Sequence, residues 1–281
     1  MPQLTGLWRH PDFLKLWAGQ TLSALSSNVT DLALPLIAAL VLHASAFEEA
    51  DVMADGLGDV WTTLPPPLQG AVEEAWSAYC AWSLPHGAVI TDAQGRVLAR
   101  GRNRVYEQQA GGASRPLYGH PLAHAEVNAL LALDYASVDV RSCVLYATTE
   151  PCPLCTGAVL MAGVRELRYA ARDNYGGATS WLASPMALVT SRQIRVVGPE
   201  QPTLEAILMA LRVEFLLRHG ATDAERAVLL AEVPPHAAQL AETLFGAGEL
   251  ERLRARGGTA AEMVRRLAAM LGTLGSAPRA L

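Results

Sequence analysis

Helix-like and strand-like patterns alternate along residues 58–200, and this alternation limits what the chain can fold into more than any other feature. Leu68, Val72, Trp76 and Cys80 recur at every fourth position, which predicts an amphipathic helix. The next stretches, GAVITD and DAQGRVLARGRNRV, have the composition of two strands joined by a glycine-containing turn. Strands that alternate with helices in this way indicate a layered α/β domain.

The alternation continues through the middle of the chain. HAEVNALLAL predicts a helix, SCVLYATTE a strand, PCPLCTGAVLMAG a second helix and VRELRYAAR another strand. Two of the four cysteines fall at structural positions, Cys80 on the apolar face of the first helix and Cys143 within a strand. The other two, Cys152 and Cys155, are therefore the candidates for a redox or metal-binding role.

Cys152 and Cys155 form a C-x-x-C pair beside two prolines, Pro151 and Pro153. By itself the pair fits a redox dithiol, half of a structural zinc site or part of a catalytic metal site. Proline is tolerated in the first turn of a helix, so the two cysteines are expected at a helix N-terminus. There the helix dipole and the free N–H groups favour thiolate over thiol.

A histidine and a carboxylate upstream, His124 and Glu126, supply partners for the two cysteines. His124, Cys152 and Cys155 make three metal ligands, whereas a structural zinc has four and a catalytic zinc keeps one position for water. On a helix, positions two apart differ by about 200°, so His124 and Glu126 are expected to have separate roles. The pattern favours a catalytic zinc with Glu126 moving the proton of the bound water.

The H-x-E at His124 followed by P-C-x-x-C at Pro151 is the signature of zinc deaminases of nucleobases. From about Gly70 to Asp173 the chain resembles the cytidine/deoxycytidylate deaminase superfamily. It is similar in particular to the branch that contains tRNA-adenosine, guanine and related nucleoside deaminases. The resemblance implies a three-layer α/β/α sandwich with a mixed sheet and with both motif helices on one face of it.

The resemblance also implies a mechanism. One Zn²⁺ per chain would be held by His124, Cys152 and Cys155, and zinc-bound hydroxide would attack the ring carbon that carries the exocyclic amine. Glu126 would pass the proton to the amine, which leaves as ammonia. The residues that the resemblance places at the substrate are Asn103, Ala88, Ala125, Glu150 and Pro151.

The resemblance leaves the substrate open. Our leading interpretation is a hydrolytic deaminase of a free nucleobase, nucleoside or nucleotide. Adenosine-to-inosine editing of tRNA is the alternative, although the net charge of −5 and the balance of acids and bases over residues 58–200 show no basic stripe. A non-catalytic zinc-stabilised scaffold acting through its helical tail is a third hypothesis, but a scaffold has no need of Glu126. The stretch between Asn103 and His124 is longer than is typical of the branch, which predicts a flexible loop beside the site.

Residues 1–46 have a different character from the rest of the chain. They resemble the first transmembrane stretch of a major-facilitator transporter in their W-x-G-Q-T pattern and LALPL run. The apolar run from Leu32 to Leu42 is shorter than the roughly 20 residues that span a bilayer. We therefore predict a transporter-like remnant, poorly ordered or a single helix, without stable membrane insertion. Weak membrane association is the minor alternative to a cytoplasmic protein.

Residues 201–281 are expected to be helical only, as an appendage to the zinc deaminase domain of residues 58–200. Leu204, Leu208 and Leu211 mark an apolar face. Thr222 with Glu225, and Thr259 with Glu262, have the spacing of capping boxes. This tail carries no chemical motif, so we interpret it as a packing or oligomerisation appendage and expect a homo-oligomer.

Overall fold

The computed structural model describes residues 59–108 and 117–276, all within one unit of the chain, Met53–Leu281. The transporter-like segment 1–46 and the centre of the long loop after Asn103 lie outside the described residues. No helix in the described ranges is both long enough and apolar enough to span a bilayer.

The centre of the structure is a mixed five-stranded sheet with the strand order β2-β1-β3-β4-β5. β1 is antiparallel to both β2 and β3, while β3, β4 and β5 run parallel. The strands are β1 Gly87–Thr91, β2 Val97–Arg102, β3 Val144–Thr149, β4 Glu166–Ala171 and β5 Arg195–Val197. The predicted strands are all present, and Cys143 lies one residue before β3 rather than within it.

Helices cover both faces of the sheet. Those that precede residue 200 are α1 Val60–Thr63, α2 Pro66–Cys80, α3 Ala125–Ala132, α4 Pro153–Ala162 and α5 Ala187–Arg192, with 3₁₀ turns at Val140–Ser142 and Thr179–Ala183. β1 is buried throughout, and its side chains alternate between two apolar clusters. Ala88 and Ile90 pack with α3 and α4, whereas Val89 packs with α2. The three-layer α/β/α sandwich, with both motif helices on one face, is therefore confirmed.

The C-terminal region is all helical, as predicted. Its helices are α6 Pro202–Arg218, α7 Asp223–Ala231, α8 Pro235–Ala247, α9 Glu249–Ala255 and α10 Ala260–Ser276. α6 is buried on nearly every side rather than along one apolar face, because it lies between β4 and the other C-terminal helices. These helices share one apolar cluster with α2.

The two predicted capping boxes differ in the structure. At the start of α7 both halves are present, since Thr222 Oγ1 accepts from the Glu225 N–H and the Glu225 carboxylate accepts from the Thr222 N–H. Before α10 the hydroxyl of Thr259 accepts from the Glu262 N–H at 3.2 Å. The Glu262 carboxylate pairs with Arg256 instead of completing the box.

A buried polar network joins α6 to α2. Glu214 is fully buried; it accepts a hydrogen bond from the Tyr79 hydroxyl at 2.9 Å and one from Arg218 Nε at 2.6 Å. Burial and the neighbouring Glu214 carboxylate raise the pKa of Tyr79 far above its ordinary value. A buried carboxylate with two strong donors fixes the position of α6 against α2.

Candidate functional site

The N-terminus of α3 carries the histidine and the carboxylate of the H-x-E motif. His124 is the N-cap residue, with extended backbone angles of φ −76° and ψ 156°, and Glu126 lies in the first turn. The prediction that both residues lie on the helix is therefore wrong for His124. The extended backbone at the N-cap, not an angular offset around the helix axis, separates the two side chains.

The N-terminus of α4 carries the two cysteines, as expected from the prolines. Cys152 is the N-cap residue, Pro153 occupies the first helical position and Cys155 follows within the first turn. Pro151 precedes the helix, and its carbonyl oxygen accepts from the Thr156 hydroxyl at 3.0 Å. This local bond holds the segment between β3 and α4, and with it the orientation of the cysteines.

The two helix N-termini bring one nitrogen and two sulfurs together. His124 Nδ1 lies 3.5 Å from Cys152 Sγ and 3.5 Å from Cys155 Sγ. The ligand atoms of the three residues all lie within 4.8 Å of one another. Zn–S and Zn–N bonds of ordinary length at a tetrahedral angle place the two ligand atoms about 3.6 Å apart. The donor set and its spacing therefore fit a zinc ion.

The two thiols differ in the direction in which their pKa values are shifted. Hydrogen bonds from the Cys155 thiol and from His124 lower the pKa of Cys152 to about 4, against the opposing effect of burial. The pKa of Cys155 is raised, first by its bond to Cys152 and then by burial. Bonding to Cys152 raises the pKa of His124, and the Pro121 carbonyl also accepts from the imidazole. Such a backbone partner fixes the orientation of a metal-binding histidine.

Glu126 is the carboxylate nearest to this group. Its side chain is buried, and Oε2 lies 3.2 Å from Cys155 Sγ, which donates to it. Burial is the largest influence on its carboxyl group and raises the pKa. A carboxylate with a raised pKa beside a metal site is suited to accept and return a proton near neutral pH.

Comparison with known proteins agrees with this geometry. Residues 67–171 match the family model described as the cytidine and deoxycytidylate deaminase zinc-binding region. A tRNA-specific adenosine deaminase of Agrobacterium fabrum is 36% identical over 113 residues, which are 40% of this chain and 67% of that protein. The chain belongs to the cytidine and deoxycytidylate deaminase family. The resemblance read from its two motifs is thus confirmed.

Two further relatives of this chain carry different names, and the chain covers a different share of the length of each. A tRNA(Ile)-lysidine synthase of Deinococcus radiodurans is 32% identical over 127 residues, which are 43% of this chain and 20% of that protein. The X-ray structure of guanine deaminase from Bacillus subtilis shares 33% identity, with a TM-score of 0.32, over 38% of this chain and 63% of that chain. The chain thus spans between a fifth and two thirds of the length of these relatives.

A cavity of about 820 Å³ opens beside the motif residues of the deaminase domain. His124, Glu126 and Cys152 line it. His86 lines it as well; its Nδ1 lies 3.0 Å from Thr149 Oγ1. Burial, and then the nearby Arg212, lower the pKa of His86 to about 3, so this imidazole is neutral at neutral pH.

Two of the predicted substrate residues lie at this cavity. Asn103 lines it, and Asn103 Oδ1 accepts from Ser83 Oγ at 2.8 Å and from the Val105 N–H at 3.0 Å. Glu150 also lines it, and Glu150 Oε1 accepts from the Thr179 N–H at 3.3 Å and from the Thr179 hydroxyl. Asn103 thus combines a turn-forming bond with a place at the cavity, and Glu150 holds the segment after β4.

The other three predicted substrate residues lie elsewhere. Ala88 and Ala125 are fully buried in the apolar cluster between the sheet and α3, and neither lines the cavity. Pro151 does not line it either; its carbonyl accepts from the Ala178 N–H at 3.0 Å as well as from Thr156. The structure therefore places His124, Cys152, Glu126, Asn103 and Glu150 around one cavity, with Cys155 buried behind it in contact with His124 and Glu126. Ala88, Ala125 and Pro151 do not line this cavity.

The C-terminal helices line the same cavity, which no motif in the sequence predicts. We call this surface the C-terminal wall; it consists of Arg212 and Leu216 of α6, His219 directly after α6, Ala224, Glu225 and Val228 of α7, and Glu232 directly after α7. The apolar periodicity of residues 201–281 indicates burial but does not say against what. Arg212 is a single cation within an apolar run, and this was the one feature of the sequence that could have indicated a cavity beside α6.

Proposed function

We propose that the protein is a zinc-dependent hydrolytic deaminase of a free nucleobase or nucleoside-type compound. The observation that carries the proposal is the convergence of His124, Cys152 and Cys155 within 4.8 Å, with Glu126 lining the same cavity. Family membership supports the chemistry, and several relatives are named as guanine, cytosine or tRNA adenosine deaminases.

His124 Nδ1 and the sulfurs of Cys152 and Cys155 would hold one zinc ion. Three protein ligands leave a fourth position, as in other catalytic zinc sites. When bound, the zinc supplies Lewis-acid activation that lowers the pKa of a water molecule towards neutrality.

Glu126 would carry the proton. A water oxygen forms a bond to the ring carbon that bears the exocyclic amine, and Glu126 accepts a proton from that water. Glu126 then donates the proton to the amine nitrogen as the C–N bond breaks, so that ammonia leaves. The second proton of the attacking water moves to the adjacent ring nitrogen, and a carbonyl remains on the ring. The raised pKa of the buried Glu126 suits both halves of this transfer.

The cavity supports a small-molecule substrate. A volume of about 820 Å³ is within the range of small-molecule sites. Asn103 and neutral His86 offer hydrogen-bonding groups along its surface. A tRNA adenosine is the second candidate, because relatives with this activity reach 36% identity over the motif region.

The proposal is tested by ammonia release from the zinc-loaded full chain. The panel comprises guanine, cytosine, adenine, their nucleosides and nucleotides, and a tRNA. Product formed in ¹⁸O-labelled water is analysed by mass spectrometry, and we expect one labelled oxygen for each ammonia released. Release of ammonia without label would contradict hydrolysis, and silence over the whole panel would contradict the proposed activity.

Two further parts of the proposal concern assembly and location. Met161, Trp181 and Met186 are exposed, which supports the expectation of a homo-oligomer. Light scattering coupled to size exclusion measures the assembly state directly. All four cysteines are free, which supports a cytoplasmic location, where thiols stay reduced.

A further inference from the structure

The cavity is unusually rich in carboxylates. Besides Glu126, four acidic residues line it: Glu150, Asp173, Glu225 and Glu232. Among the described residues that line it, Arg212 is the one arginine and there is no lysine. Fixed charges of one sign in a cleft select against ligands of the same sign.

Arg212 is already compensated by two of these acids. Its guanidinium lies 3.8 Å from Asp173 Oδ1 and 3.6 Å from Glu232 Oε2, with only 15% of the side chain exposed. A phosphate group would have to replace these partners to reach the arginine. Proteins normally bind a phosphate through bidentate arginine contacts or through a cluster of cations.

Glu225 and Glu232 present acceptor atoms at the cavity. The Glu225 carboxylate accepts from the Thr222 N–H at 2.8 Å and from the Thr222 hydroxyl at 2.7 Å. Glu232 Oε2 is buried; it faces the Arg212 guanidinium at 3.6 Å, beyond hydrogen-bond distance, and accepts no hydrogen bond among the residues that the structure describes. A buried acceptor of this kind calls for a donor, and the N–H groups of a base or the hydroxyls of a nucleoside are donors.

From this arrangement we infer that the C-terminal wall restricts the site to uncharged, unphosphorylated nucleobases or nucleosides and rejects nucleotides and nucleic acids. The inference rests on the proposed deaminase function and narrows its substrate class. Glu232 supplies an acceptor for a substrate donor group, and the carboxylates together repel phosphate. Substrate choice then resides in the helices after residue 200 rather than in the H-x-E and P-C-x-x-C motifs.

The test compares matched pairs that differ only in a phosphate, such as guanosine with its 5′-monophosphate. We expect kcat/KM to favour the uncharged member by about tenfold or more at low salt. Added salt screens the repulsion and should reduce that preference. Equal or better turnover of the phosphorylated member, or turnover of tRNA alone, would overturn the inference.

Variants localise the effect to the wall. Glu232→Gln and Glu225→Gln each remove one negative charge, and glutamine at position 225 can still complete the capping box. Each should reduce the preference for the uncharged member several-fold. The matched control is Glu73→Gln, an exposed α2 carboxylate paired with Arg100 that does not line the cavity. If the control changes the preference as much as the wall variants do, the inference is wrong.

A binding measurement separates this inference from the chemistry. Titration calorimetry of the same pairs with the Glu126→Gln protein measures selectivity without turnover. Selective binding of the uncharged member by Glu126→Gln, together with no deamination by the wild-type protein, would contradict the proposed activity and leave the wall's selectivity standing. Turnover that favours the phosphorylated member of a pair would support the proposed activity and overturn the inferred selectivity of the wall. No selective binding of any uncharged compound would overturn the inference.

Discussion

A methyl group on Gly101 would lie 2.2 Å from the backbone nitrogen of Ala129, which means that β2 and α3 are in direct backbone contact. α3 is the helix whose N-terminus carries His124 and Glu126. The spacing between this strand and this helix therefore sets the position of both residues relative to the cysteines of α4.

Gly101→Ala should push α3 away from the sheet. We expect a loss of about 2–3 kcal/mol in the free energy of unfolding and weaker zinc binding, measured by urea denaturation and by competition with a chelator. Gly246→Ala is the control, because no atom outside its chain neighbours and its own helix backbone lies within 4 Å of its added methyl group. Equal zinc affinity in both variants would contradict a link between this contact and the metal site.

Removal of a metal ligand should abolish zinc binding. Cys155→Ser leaves two ligands of the three, so we expect the zinc content, measured by plasma mass spectrometry, to fall from one per chain to a small fraction. Cys80→Ser is the matched control. Cys80 is half-buried against the apolar cluster that α2 shares with the C-terminal helices, and it is not one of the three proposed zinc ligands. Retention of a full zinc ion in Cys155→Ser would exclude this residue as a ligand.

Tyr79→Phe removes one donor to the buried Glu214 carboxylate. Because Arg218 still donates to Glu214, we expect a moderate cost of about 1–2 kcal/mol in the free energy of unfolding. Tyr135→Phe, at an exposed tyrosine, should change stability little. If the two tyrosine variants unfold at the same urea concentration, the network does not hold α6 to α2 as described.

The pKa of His86 predicts a pH dependence of stability. A histidine whose pKa falls to about 3 in the folded protein takes up a proton more readily when unfolded. Stability is therefore lost as pH falls below the ordinary histidine pKa. Between pH 7.5 and 5.5 this loss is about 1 kcal/mol, and it should be absent in His86→Gln. Urea denaturation of both proteins at the two pH values measures it; parallel pH dependence would contradict the prediction.

The H-x-E and P-C-x-x-C motifs predicted the proposed zinc ligands and Glu126, but they did not predict the C-terminal wall of the cavity. Cys152 and Cys155 lie at a helix N-terminus because the flanking prolines act locally, so the sequence sufficed for that part. The N-cap position of His124 has no such local signal. The C-terminal wall depends on a tertiary contact between Asp173 and Arg212, on segments far apart in sequence. Apolar periodicity shows that α6 is buried but not what it lies beside. The short α5 and β5 were missed because β5 has only three residues, Arg195–Val197.

The central claim is that Glu126 transfers the proton in a hydrolytic deamination at the His124–Cys152–Cys155 zinc site. The most direct test is ammonia release by wild-type protein and Glu126→Gln, both loaded with one zinc per chain, on the best substrate of the panel. We expect Glu126→Gln to lose about 10²–10⁴-fold in kcat, with zinc content unchanged. Near-wild-type kcat in Glu126→Gln at equal zinc content would contradict it.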